Sequence, residues 1–78
     1  MKKADKETLN AHLGTLEGML EHVQTIQQEQ QDAFDGKSEA WQEGDKGQAL
    51  QSIIEALDQA AGSLQDSIDN LQSATAEE

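Results

Sequence analysis

Seventy-eight residues carrying sixteen acidic and five basic side chains, for a net charge of −11, and no cysteine make one small domain without disulfides or thiolate metal sites. A chain of this size buries only ~60% of the surface its unfolded form exposes, so without disulfides or metal, association is the remaining route to stability. One valine, no tyrosine, no proline and only Phe34 and Trp41 as aromatics exclude a sheet, while abundant Ala, Leu, Gln and Glu favour helix.

The chain opens on Lys2, Lys3 and Lys6, and the only other lysines are Lys37 and Lys46. There is no arginine, so residues 7–36 and 47–78 hold no permanent cation. Nucleic acid and anionic membrane both demand a basic face, and neither is an expected partner. No apolar run of a signal peptide follows Lys2 and Lys3, and none approaches the ~18 apolar residues of a membrane span. The expectation is a soluble, cytoplasmic protein.

The first helix is predicted over about 6–34, with Asp5 as N-cap and Glu7 in a first turn that favours an anion. Leu9, Leu13, Leu16, Leu20 and Val23 recur at alternating four- and three-residue steps, continued by Gln27 and Gln30 to Phe34. That spacing is a heptad seam with Leu9 at d and Leu13 at a. The two glutamines weaken it and are read as fixing register and oligomer state, with a point of entry for a partner as the minority reading.

A connection is predicted over about 35–45, with Gly36, Gly44 and Gly47 as breakers. Within it, Ser38-Glu39-Ala40-Trp41-Gln42 has the composition of a helical turn. Trp41 is read as a plug over the end of the seam, beside Phe34 and Leu50, because large aromatics usually pack. An exposed anchor for a partner is the minority reading.

The second helix is predicted over about 46–74, with Asp45 and Gln48 placed as a capping box and a frayed tail beyond. Its seam is Leu50, Ile54, Leu57, Ala61, Leu64, Ile68 and Leu71. Pairing Phe34 with Leu50 in an antiparallel hairpin sets every other layer: Gln30–Ile54, Gln27–Leu57, Val23–Ala61, Leu20–Leu64, Leu16–Ile68 and Leu13–Leu71.

The flanking positions then separate into two sides. The g positions are His12, Met19, Ile26, Ala33, Ile53, Ala60, Ser67 and Ala74; the e positions are Asn10, Glu17, Gln24, Gln31, Gln51, Asp58, Gln65 and Gln72. One side is mostly apolar and the other wholly polar. Burying Met19, Ile26 or Ile53 instead of exposing it is worth ~1.5–3 kcal/mol each. The expected fold is therefore an all-α, coiled-coil-like antiparallel two-helix hairpin that dimerises into a four-helix bundle. Met19, Ile26, Ala33, Ile53, Ala60 and Ala74 form the expected interface with a second copy or, as the competing reading, with a different protein.

No catalytic constellation is found. Ser and Thr lack a suitably spaced His with an acidic orienter, and the seams hold no carboxylate. Neither His12 nor His22 has a Glu three residues before it, as a di-iron bundle requires. No enzyme activity, cofactor or metal is expected. Gly14, Gly18 and Gly62 fall at outward b and f positions, either tolerated there or allowing a neighbouring backbone to approach.

Two copies along helices of roughly 43 Å would carry about one charge per 2 Å, against ~1.7 Å for duplex DNA. The bland account of this density is a solvated face that maintains solubility. The sharper one is mimicry of DNA.

The stretches Glu29-Gln30-Gln31-Asp32-Ala33-Phe34-Asp35 and Trp41-Gln42-Glu43-Gly44-Asp45-Lys46-Gly47-Gln48-Ala49 resemble a pattern in small acidic helical proteins of bacteria, phages and plasmids. Those proteins also continue in acidic, Leu-containing heptads, although their connecting loop often contains proline. The resemblance covers about the C-terminal two-thirds and implies a bacterial or mobile-element setting without any functional residue. The expected function is a homodimeric, non-enzymatic interaction or adaptor protein meeting basic proteins through its outer faces. The alternatives are a DNA-mimic inhibitor of a restriction or CRISPR-type defence protein and a helical subunit of a larger assembly.

Overall fold

A computed structural model describes residues 1–76 of the chain. Helix α1 spans Lys3–Asp35, a five-residue α2 spans Glu39–Glu43, and α3 spans Asp45–Ala76; no strand occurs among the described residues. Helix α3 returns along α1, giving a long helix pair of 57 × 14 × 13 Å.

Both long helices exceed their expected bounds, for identifiable reasons. Asp5 is not the N-cap: α1 begins after an extended Lys2, and the amide of Lys6 already bonds the Lys2 carbonyl at 3.0 Å. Asp5 instead lies in the first turn, where its charge complements the helix dipole. Glu7 comes after that turn. The capping box at Asp45 and Gln48 also does not form, because Asp45 is already helical. The Gln48 side chain reaches back to the Glu43 carbonyl at 3.3 Å instead.

At the other end, α3 continues to Ala76 rather than fraying after residue 74. Thr75 holds the next seam position after Leu71 and is 8% exposed. Its hydroxyl donates to the carbonyls of Leu71 and Gln72, both at 3.1 Å, so burial leaves no unpaired polar group. Glu77 and Glu78, the remainder of the expected tail, lie outside the described residues.

The core follows the heptad seam. Leu13, Leu20, Ala61 and Ile68 are its buried members, with Ile68 only 2% exposed. Leu16, Val23, Leu64 and Leu71 pack against them. This cluster contains both members of four successive expected layers, from Val23–Ala61 to Leu13–Leu71. Toward the connection the seam loosens: Gln27, Gln30, Phe34, Leu50, Ile54 and Leu57 are only half-buried. Gln27 turns its amide outward to the Asp58 carboxylate, at 3.3 Å, across the helix pair. Leu9, near the opposite end, is half-buried as well.

The connection is tightly hydrogen-bonded. Gly36 ends α1 with its amide on the Asp32 carbonyl at 3.1 Å, and Ser38 caps α2 by accepting from the Trp41 amide at 3.3 Å. The Gln42 side chain bridges the carbonyls of Phe34 and Lys37, at 2.9 and 3.2 Å. Half-buried Trp41 meets Phe34 edge-on, ring centroids 6.5 Å apart, with the Lys37 ammonium 5.4 Å from its own ring centre.

Gly47, expected as a breaker, is inside the first turn of α3 and buried. A Cβ there would fall 2.5 Å from the Gln42 carbonyl carbon and against the carbonyl oxygens of Trp41 and Gln42. Gly47 is thus required for close approach of α2 to α3. Gly14, Gly18 and Gly62 contrast with it, since an added Cβ meets nothing within 4 Å at any of them. Each Gly→Ala change at those three positions is expected to raise stability by about 0.5–1 kcal/mol in urea titrations. A loss of stability there would show that a neighbouring backbone uses the gap.

Candidate interaction surface

The heptad positions beside the seam build two unlike long sides. On the g side, Met19 and Ile53 are 48% and 51% exposed. His12, Ala33, Ala60 and Ser67 are exposed, while Ile26 and Ala74 are half-buried. Helix geometry brings these residues together. The register that pairs Phe34 with Leu50 would place Ile26 beside Ile53 and Ala60, Met19 beside Ala60 and Ser67, and Ala33 beside Ile53. All six expected interface residues share this side, and none is fully buried by the hairpin itself.

The seam leaves these side chains uncovered because it occupies only the a and d stripes. A third stripe widens the same side. The c positions Thr15, His22, Glu29, Ala56, Ser63 and Asn70 lie next to g around the helix and are exposed. Sequence inspection confined to e and g misses this breadth, although the heptad assignment itself contains the signal. Both histidines therefore border one face.

Charge divides the same way. Between residues 12 and 74, Glu29 is the sole acidic residue at a c or g position of the long helices. Glu17, Glu21, Asp32, Asp35, Glu55, Asp58, Asp66 and Asp69 all fall at b, e or f. Several of these carboxylates accept from glutamines on their own helix: Gln28 to Asp32 at 2.9 Å, Gln31 to Asp35 at 3.0 Å and Gln65 to Asp69 at 3.0 Å. Such i, i+4 bonds fix the side chains along the polar exterior.

Of the expected seam, Leu9, Leu13, Leu16, Leu20, Val23 and Phe34 on α1 and Leu50, Ile54, Leu57, Ala61, Leu64, Ile68 and Leu71 on α3 are all buried or half-buried. Trp41 packs at the Phe34 end. Sequence reasoning missed a cleft on the polar side, lined by Gln31, Phe34, Gln51, Ile54 and Glu55. Its signal was Phe34 at the weak end of the seam, bordered by glutamines at e. Among the described residues, no helix is long and apolar enough to cross a membrane.

Compared with protein-family models, curated proteins and solved structures, the chain matches none.

Proposed function

We propose that the protein is a non-enzymatic, homodimeric interaction module, in which two hairpins join through their g sides as a four-helix bundle. The observation that carries this reading is the mostly apolar g side, with Met19 and Ile53 half-exposed and Glu29 the one carboxylate on the adjoining c stripe between residues 12 and 74. Electrostatics favours the same side. Two copies of net charge −11 repel wherever carboxylates oppose one another, and the g side is where their helices can approach with few opposed acids. A hairpin with a core this thin also gains most from a second copy.

Dimerisation through g leaves the b, e and f carboxylates on the outside. Their role in this reading is to meet basic proteins as a cytoplasmic adaptor. The segregation of acids to the exterior also favours a second reading, in which the dimer occupies the DNA groove of a nucleic-acid-binding protein as a mimic. The resemblance to acidic proteins of phages and plasmids accords with that setting. A place as a subunit of a larger assembly would use the same g side for a different chain.

Light scattering across a concentration range, with helicity recorded alongside, tests the primary reading. The expected result is a helical species of twice the 8.5 kDa chain mass. A folded monomer at all concentrations would refute the dimer and make the g side a binding site for another protein.

A further inference from the structure

The cleft near the connection combines an apolar surface, two side-chain amides and a carboxylate. It holds about 170 Å³, room for roughly five water molecules, and is lined by Gln31, Phe34, Gln51, Ile54 and Glu55. Phe34 and Ile54 supply an apolar floor, while Glu55 supplies a carboxylate. The Gln31 amide nitrogen is already donated to Asp35 at 3.0 Å, which leaves its carbonyl oxygen as an acceptor. Gln51 contributes a second amide. The cleft lies at the weakly packed end of the seam, where Trp41 packs edge-on against Phe34.

We propose that this cleft receives an arginine side chain from a basic partner protein. This deepens the reading that the anionic exterior meets basic proteins, and rests on it, but not on dimerisation. Gln31 and Gln51 are at e and Glu55 at b, so the site lies away from the g side and a dimer would present two copies.

The lining matches the chemistry of arginine. A planar guanidinium lies flat on an aromatic ring and offers paired N–H donors to a carboxylate. Its aliphatic stem suits the Ile54 floor. No lysine or arginine occurs among residues 7–36 or 47–78 to compete for the carboxylate. The nearby Lys37 is engaged over Trp41, at 5.4 Å.

The test is an NMR titration of the full chain with N-acetyl-arginine amide, with N-acetyl-citrulline amide as the uncharged isostere. Saturable shifts are expected at the Gln31 and Gln51 side-chain amides and the Phe34 ring. Citrulline should bind at least fivefold more weakly, and Glu55→Gln should weaken arginine binding about three- to fivefold without changing the helical signal. Equal binding of the two probes, or non-saturating shifts spread over Glu17, Asp32 and Asp66, would overturn the proposal. An octa-arginine peptide separates the two levels of inference. Binding that perturbs the exterior but spares the cleft overturns the cleft alone. Absence of binding overturns the basic-partner reading with it.

Discussion

If the proposed dimer forms, the Ile26→Glu/Ile53→Glu variant is expected to run as an 8.5 kDa monomer at concentrations where the parent chain associates, and to lose most of its helical signal. Ile53 is 51% exposed in the hairpin and Ile26 half-buried, so only part of each side chain remains for an interface to cover. That part is worth about 0.75–1.5 kcal/mol per residue, half the value for full burial. Two-fold symmetry would place four such side chains in one dimer, about 3–6 kcal/mol together. Because 1.4 kcal/mol is a factor of ten, Kd should rise on the order of a hundredfold or more. Opposed carboxylates add repulsion in the same direction.

Unfolding should accompany dissociation because so little of the chain is buried within one hairpin. Leu13, Leu20, Ala61 and Ile68 are the buried apolar residues of the described chain. A variant that remained a helical dimer would show that the g side is not the interface. A variant that became a fully folded monomer would show that the hairpin stands alone, with its apolar side serving another protein.

Gly47→Ala is expected to destabilise the protein by about 2–3 kcal/mol, although alanine is the better helix former by about 1 kcal/mol. The added methyl meets the main chain of Trp41 and Gln42, and backbone cannot swing aside as a flexible side chain can. Relief requires α2 to lift from α3, which withdraws Trp41 from Phe34 and disturbs the two bonds of the Gln42 side chain. Trp41 is the single tryptophan, so its emission reports on this joint alone. The expected signature is a red shift together with a lower urea midpoint. Unchanged emission with equal or greater stability would show that α2 does not depend on this contact. The opposite signs expected at Gly47 and at Gly14, Gly18 and Gly62 distinguish a glycine needed for close approach from glycines that only add chain entropy.

Much of the architecture was legible because hydrophobic spacing survives without tertiary context. The four-three steps from Leu9 to Phe34 and from Leu50 to Leu71 specify two helical stripes, and their antiparallel pairing specifies the layers. The same heptads identify Met19 and Ile53 as side chains that one hairpin leaves exposed, and Ile26 as one it covers only in part. Helix ends were less legible. Asp5 and Asp45 have the right chemistry for caps, yet the backbone is already helical at both, because capping preference is a small term. Thr75 was overlooked as a seam residue since its hydroxyl conceals its position in the repeat.

What the sequence by itself determined is the helical class, the stripe that forms the core and the separation of apolar from anionic sides, all consequences of residue type at a fixed period. Only the tertiary structure decided the close approach of α2 at Gly47, the edge-on packing of Trp41 on Phe34 and the cleft beside Gln31, Gln51 and Glu55. Those features arise where non-periodic backbone folds onto the end of a weakly packed seam. Distances there depend on how the chain turns, which no repeat encodes.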